Sequence, residues 1–322
     1  MRQLAKRYPR SWAVLVATSL LLVGCSSEES ADISQLTIVT TPSVLDQATS
    51  MAVSTYVQDQ GIEVEIQQHD DSTAVFEALE DETAADHAVV GVVTAQHEAT
   101  EDAPPEVPDD IDVVSTAPAE LGLTASASTI TAAQFRLEQQ NNDEAEPTGE
   151  ATPAGSGNAC ADMTWIPAAL PADDIDALTE DLASQGCEPT VESTGVVDDA
   201  TYKDLSQSLR TEADTVAMLY SIDPMIVDQG LSSLELETGS WPVSNVVAVA
   251  HQEIDESLAQ QISAVIESID GDSATTLLRG YHDANVSTSD LRYEADDAIQ
   301  YWLGEHELLD EHTVTDTSTD RN

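Results

Sequence analysis

Between Leu36 and Val93 the apolar patterns alternate in kind, and that alternation narrows the fold more than any other feature of the chain. Leu36–Thr40 reads as a first strand. Val44, Leu45, Ala48, Met51, Ala52 and Tyr56 then fall at helical spacing, and Gly61 stops that helix. Ile62, Val64 and Ile66 alternate with Glu63, Glu65 and Gln67, the pattern of a half-buried strand. Ala74–Glu80 predicts a short helix and Ala88–Val93 a buried strand. Strands and helices taking turns in this way point to an α/β fold with a mostly parallel sheet.

The rest of the chain continues the theme with interruptions. Thr94–Asp112 is acidic, contains proline and reads as a loop, and Val113–Ala127 holds two extended pieces. Residues 139–159 are polar, with Pro147, Gly149, Pro153, Gly155 and Gly157 and almost no apolar bulk, so a disordered insertion is expected. A second α/β pattern follows: a strand at Met163–Ile166, a helix marked by Ile175, Leu178 and Leu182, another by Tyr202, Leu205 and Leu209, and a strand at Val216–Tyr220. The last block opens with the strand Val246–Ala250. Leu258, Ile262, Val265, Ile266 and Ile269 stripe one helix, and Ala274–Gly280 predicts another. Ser287 and Asp290 resemble a capping box before a final helix bearing Leu291, Ala295, Ile299, Trp302 and Leu303; residues 311–322 read as a frayed tail.

The N-terminus carries a different message. Arg2, Lys6, Arg7 and Arg10 precede an apolar run from Trp12 to Val23, the layout of an export signal. Leu22-Val23-Gly24-Cys25 resembles the lipobox of bacterial lipoproteins. That resemblance implies removal of residues 1–24, with acyl chains such as palmitate on Cys25, the first residue left, and a tether over residues 25–35. An uncleaved helical anchor competes with it, but the apolar run of about a dozen residues falls short of the ~20 that span a bilayer.

Charge then excludes some partners. The whole chain carries ten Lys and Arg against 61 Asp and Glu, a formal charge of −51. Loss of the four basic residues of the signal makes it −55 and leaves Lys203 as the one lysine. Nucleic-acid binding is excluded by so few cations to meet phosphates. The acidic residues sit inside regular apolar patterns, so they read as solvated faces whose mutual repulsion salt would screen within roughly 8 Å at physiological strength; a saline exterior suits them. Cys160 and Cys187 are an even pair in an exported chain and predict a disulfide. The seven histidines are scattered and read as surface residues; no metal site is expected. There is no Gly-x-Ser-x-Gly elbow, zinc motif or Ser/His/Asp layout, so no catalytic residues or cofactors are assigned and the chain does not read as an enzyme.

Over the second half, Leu219-Tyr220-Ser221-Ile222-Asp223-Pro224, Gly230-Leu231, Leu234-Glu235 and Trp241-Pro242-Val243-Ser244-Asn245-Val246-Val247 resemble the substrate-binding lipoproteins of glycine betaine/choline/carnitine-type ABC importers. Ala117-Pro118-Ala119-Glu120 is similar to the crossover segment of actinobacterial members. The resemblance covers roughly residues 36–305. It implies a periplasmic-binding-protein-like fold: two α/β lobes joined by two crossovers, lobe one from 36–116 and 237–310, lobe two from 117–236, with a ligand cleft between them. It further implies a small quaternary-amine osmoprotectant as ligand and, as partners, an ABC permease with its ATPase at the outer face of the membrane. A quaternary ammonium offers no N–H donor, so aromatic faces must grip it through cation–π attraction. Trp165 and Tyr220 at strand ends, and Trp241 before the return strand, are the aromatic candidates; Asp223, Ser43 and Ser72 complete the expected ligand set. Asp223 has a rival role in capping the next helix. Members of the family often carry a Tyr-Pro-Glu-Tyr-Thr-Gly-like motif after the third strand. Here that stretch reads Val89-Val90-Gly91-Val92-Val93-Thr94, without an aromatic residue, and Asp70-Asp71-Ser72-Thr73 stands in place of a Gly-Ser or Gly-Thr step. The alternative is therefore a degenerate relative that serves as a surface sensor or accessory lipoprotein without binding such an amine.

Overall fold

The structure is a computed structural model, and it describes residues 33–80, 86–97, 105–143, 160, 163–170, 175–185, 187–192, 199–212, 214–234, 236, 241, 243–286 and 295–309. The lipobox, the tether up to residue 32, most of the polar insertion, the capping box at Ser287 and the tail lie outside them; the end of the expected tether is already structured, since the first strand begins at Gln35.

In the first lobe, strand β1 (Gln35–Thr40) lies between β2 (Glu63–Gln68) and β3 (His87–His97), parallel to both. Helix α1 (Val44–Asp59) buries Ala48, Ala52, Val53 and Val57 against this sheet and ends at Gly61, whose φ of +90° is open to glycine at little cost. Helix α2 (Ser72–Leu79) covers the opposite face and is capped by the Asp71 carboxylate, which accepts from the Ala74 N–H. Gly91 of β3 permits the close approach: a Cβ there would stand 2.7 Å from a Val249 methyl and 3.2 Å from a Val75 methyl. β2 has no partner on its outer side among the described residues, which leaves Ile66 39% exposed where the alternation predicted half-burial.

Two further strands, β4 (Asp112–Thr116) and β5 (Leu121–Ala127), lead out of this lobe, and β10 (Val243–Ala250) leads back into it. β10 runs antiparallel to β3, β4 and β5, so the sheet is mixed rather than mostly parallel. Pairing with β10 also explains why β3 continues through Ala95 and His97 into the stretch expected to be a loop: those residues align with Asn245 and Val243, and both are buried. Helices α7 (Glu256–Ile266), α8 (Gly271–Val286) and α9 (Ala295–Glu305) close the α1 side. Leu258, Ile262, Leu277, Ile299, Trp302 and Leu303 join α1 there in one core. Trp302 donates its indole N–H to the Ser273 carbonyl at 3.0 Å, so its one polar atom is not wasted.

The second lobe is built on β5, β6 (Thr164–Ile166), β7 (Thr190–Val191), β8 (Thr215–Tyr220) and β9 (Ser232–Ser233). β6 is parallel to β7 and β8, whereas β5 is antiparallel to β8 and β9. Its helices are α3 (Thr129–Asp143), α4 (Ile175–Ser184), α5 (Asp199–Thr211) and the short α6 (Pro224–Asp228). α3 continues to Asp143, into the segment expected to be disordered from residue 139. Cys160 and Cys187 form the expected disulfide, buried beside Phe135, Trp165 and Leu182.

The two chain passages between the lobes run side by side. β5 and β10 pair only at Gly122–Val243 and Leu121–Ser244. The buried Asn245 side-chain amide donates to the carbonyls of both Ala117 and Ala119, at 3.1 and 2.9 Å. Two adjacent strands and one amide clamp thus carry the chain between the lobes.

Candidate functional site

A cavity of about 470 Å³ opens between the lobes. The first lobe supplies the turn from β1 into α1 (Thr41 to Asp46), the Asp70–Thr73 turn before α2, Thr94 on β3, and Leu278 and His282 on α8. The second lobe supplies Ala168, Ala169, Tyr202, Leu219, Tyr220 and Asp223. The turns after β1, β2 and β8 in this wall lie at the C-terminal ends of their strands, where ligands bind in open α/β sheets. The size suits a small molecule.

Asp46 is the most unusual group in the wall. It is 1% exposed, and both carboxylate oxygens are held: Thr41 donates to one and Thr94 to the other, each at 2.6 Å. Burial nonetheless dominates and pushes its pKa up to about 6, against the hydroxyl donors that pull it down. Across the cavity, Asp223 does two jobs. It caps α6 by accepting from the Met225 N–H at 2.8 Å, and it accepts from the Tyr202 hydroxyl at 2.6 Å. Its pKa also rises to about 6, again because burial outweighs the hydrogen bonds. The Tyr202 ring stacks on His282 with centroids 3.6 Å apart and planes 16° from parallel. Burial drives His282 down to about 4, so it is neutral near pH 7. With Asp70 and Asp71, four aspartates line the cavity, and no Lys or Arg does among the described residues. The field inside favours a cation.

The sequence candidates divide. Tyr220, Asp223, Ser43 and Ser72 line this cavity together. Trp165 does not: it is fully buried in the second lobe's core. Trp241 is also buried there, its indole N–H donated to the Asp181 carboxylate on α4. A strand end gives no indication of which face of the sheet a ring takes, and in both cases the apolar side claims it. Cys25 lies outside the described residues. The histidines are not all on the surface either, since His97 and His282 are 8% and 6% exposed. Asp46, Tyr202 and His282 carry no motif. A buried acid in the first turn of a helix, among the apolar residues of α1, was the available signal for Asp46; nothing local announces that α5 and α8 meet. Among the described residues, no group of three or more His, Cys, Asp or Glu is arranged to hold a metal, and no helix is long and apolar enough to cross a membrane.

No family model and no curated protein matches the chain in sequence. Solved structures do match in fold. A glycine betaine/carnitine/choline ABC transporter protein aligns with a TM-score of 0.53 at 14% identity, over 86% of this chain and 99% of the other. Lactococcal OpuAC, closed on glycine betaine, gives 0.52 at 10% identity, over 85% and 96%. An ABC-transporter choline-binding protein with choline bound gives 0.50 at 12% identity, over 84% and 89%. The fold is thus the two-lobe α/β fold of substrate-binding proteins.

Proposed function

We propose that this protein is the solute receptor of an ABC importer and captures a small organic cation, a quaternary amine such as choline, glycine betaine or carnitine, in the cleft between its lobes. The cavity carries the reading: two tyrosines and four aspartates line it and no Lys or Arg does among the described residues, within a fold shared with receptors solved with choline and with glycine betaine. Tyr220 supplies an aromatic face to the cation, Asp46 and Asp223 supply negative potential, and Ser43 and Ser72 supply hydroxyls for the polar end of the solute. In this reading lobe one comprises 36–116 and 237–310 and lobe two 117–236, with Trp241 reaching across to pack in the second lobe and Ile222 in the first. The protein acts as a carrier, handing the solute to a permease with its ATPase, rather than as an enzyme.

Calorimetry of the mature protein against choline, glycine betaine, carnitine and ectoine tests this directly. Loss of one good ring costs about 1–2 kcal/mol, so Tyr220→Ala should weaken binding roughly five- to thirtyfold. Trp165→Ala, outside the cavity, should act on stability instead. If the wild-type protein binds none of the four at millimolar concentration, the sensor or accessory reading takes the place of this one.

The same reading puts the protein on the outer face of the cell membrane, held by lipid on Cys25. The lipobox-like Leu22-Val23-Gly24-Cys25 and the basic residues before it support this. Cys25→Ser should leave the protein unprocessed or release it from the membrane fraction. A variant still cut after Gly24 and still membrane-bound would refute lipid anchoring.

A further inference from the structure

Helix α8 belongs to the first lobe, where Ala274, Leu277 and Tyr281 enter the core. Thr275, Arg279 and His282 are spaced i, i+4 and i+7, which places them along one helical face. All three touch the second lobe. The Thr275 hydroxyl donates to the Ile222 carbonyl at 2.9 Å. Arg279 donates twice to the Asp228 carboxylate, at 3.0 and 2.9 Å, in the paired geometry that guanidinium and carboxylate favour. His282 stacks on Tyr202. The Arg279–Asp228 pair lies at the surface rather than in either core, its side chains 38% and 45% exposed, while Thr275 reaches Ile222, which packs against the first lobe's core.

Electrostatics gives the seam its importance. The chain carries 61 acidic residues against ten basic ones, so bringing two lobes together meets repulsion. Arg279 turns that repulsion into attraction at one point. The ion pair is 38% and 45% exposed on its two sides, too wet to hold the lobes alone. It acts together with the stacked rings and the threonine, one turn apart along the same face. Tyr202 and His282 also line the cavity, so whatever fills it touches the same rings that join the lobes.

We propose that the Thr275–Arg279–His282 face of α8 is a latch that holds the two lobes closed, with Tyr202 and His282 coupling it to occupancy of the cleft. The latch rests on the two-lobe fold; only its effect on affinity rests on the proposed ligand class. When the binding-competent state is a fraction of the whole, apparent affinity falls with that fraction. Arg279 is therefore a positioning residue that touches no ligand.

Small-angle scattering of the ligand-free mature protein is the first test. Arg279→Asp sets two carboxylates face to face and should enlarge the radius of gyration. Adding Asp228→Arg restores the pair with its ends exchanged and should restore the wild-type value. Circular dichroism checks that each variant is folded, and Thr275→Val with Arg279→Gln is the milder replacement should Arg279→Asp not fold. The second test is calorimetry with choline and glycine betaine, where Arg279→Asp should bind about three- to tenfold more weakly than wild type or the swap. Wild-type scattering from folded Arg279→Asp, or an expansion that the swap leaves in place, overturns the latch. Should the wild-type protein bind neither probe, the proposed ligand class fails while the scattering still decides the latch.

Discussion

Replacing both Cys160 and Cys187 with alanine, or reducing their bridge, should lower the melting temperature by about 6–12 °C. The bridge links positions 27 residues apart, and in the chain-entropy model a loop of that length is worth about 3 kcal/mol, with each kcal/mol shifting a domain of this size by about 2–4 °C. The closed loop contains β6 and α4, so the bridge joins the approach to that strand to the end of that helix. Neither element is long: β6 has three residues and α4 ten. Both sulfurs are buried among Phe135, Met163 and Leu182, so their loss also removes packing. Hydrogen exchange should locate the effect, with faster exchange in β6 and α4 and little change in β1 or α1. A melting temperature that moves by less than about 1 °C would mean that the second lobe is held without its bridge.

How much of this was legible in the sequence differs between the lobes, and for physical reasons. The first lobe's order of β1, α1, β2, α2 and β3 follows from local periodicity, because each element buries one simple face against its sequence neighbour. α3 leaves little mark on the sequence because its buried stripe is thin. Ala132 and Phe135 face inward, while Ile130 and Leu137 are 67% and 59% exposed, so the apolar residues do not mark the core side. The reach of β3 to His97 depended on β10, which arrives some 150 residues later in the chain. In the site, Asp223-Pro224 was readable because a cap and a proline at the first helical turn form a short-range signal. Asp223 caps α6 and also lines the cavity, so the cap does not remove it from the wall. Tyr202 stacked on His282 is a meeting of α5 with α8, set by tertiary packing alone. The tryptophans lie away from the cavity for the converse reason: their abundance of apolar surface draws them into the second lobe's core, where the Trp241 indole N–H finds Asp181.

Asp46→Asn should stabilise the protein at pH 7 and lose that advantage near pH 4. The carboxyl group of Asp46 has a pKa of about 6 in the folded chain, above its ordinary value of 3.8, because burial penalises the charge. A raised folded value means that the folded state holds the proton more tightly than the unfolded one. Stability from that proton is fully present below about pH 4 and is lost as pH rises through about 6. Two pKa units correspond to about 3 kcal/mol, hence to about 6–12 °C of melting temperature at neutral pH. Asparagine keeps the shape and one acceptor oxygen and removes the charge; its amide NH2 needs one of the two threonine hydroxyls to turn from donor to acceptor. Asp223 contributes in the same direction, with its own pKa of about 6, but its Asn variant would also weaken the cap of α6 and the bond from Tyr202. The measurement is a melting curve of wild type and Asp46→Asn from pH 4 to pH 8; parallel profiles would show that the charge of Asp46 is not destabilising. A charge kept buried at such a cost in the cavity wall has a use if the occupant is a cation. A cation beside Asp46 lowers its pKa again, so binding near pH 6 should release protons, and affinity for choline should rise between pH 5 and pH 7 in wild type but stay flatter in Asp46→Asn. On the proposed reading, a cationic ligand would supply a counter-charge to the buried carboxylate, which ties the pH dependence of stability to that of affinity.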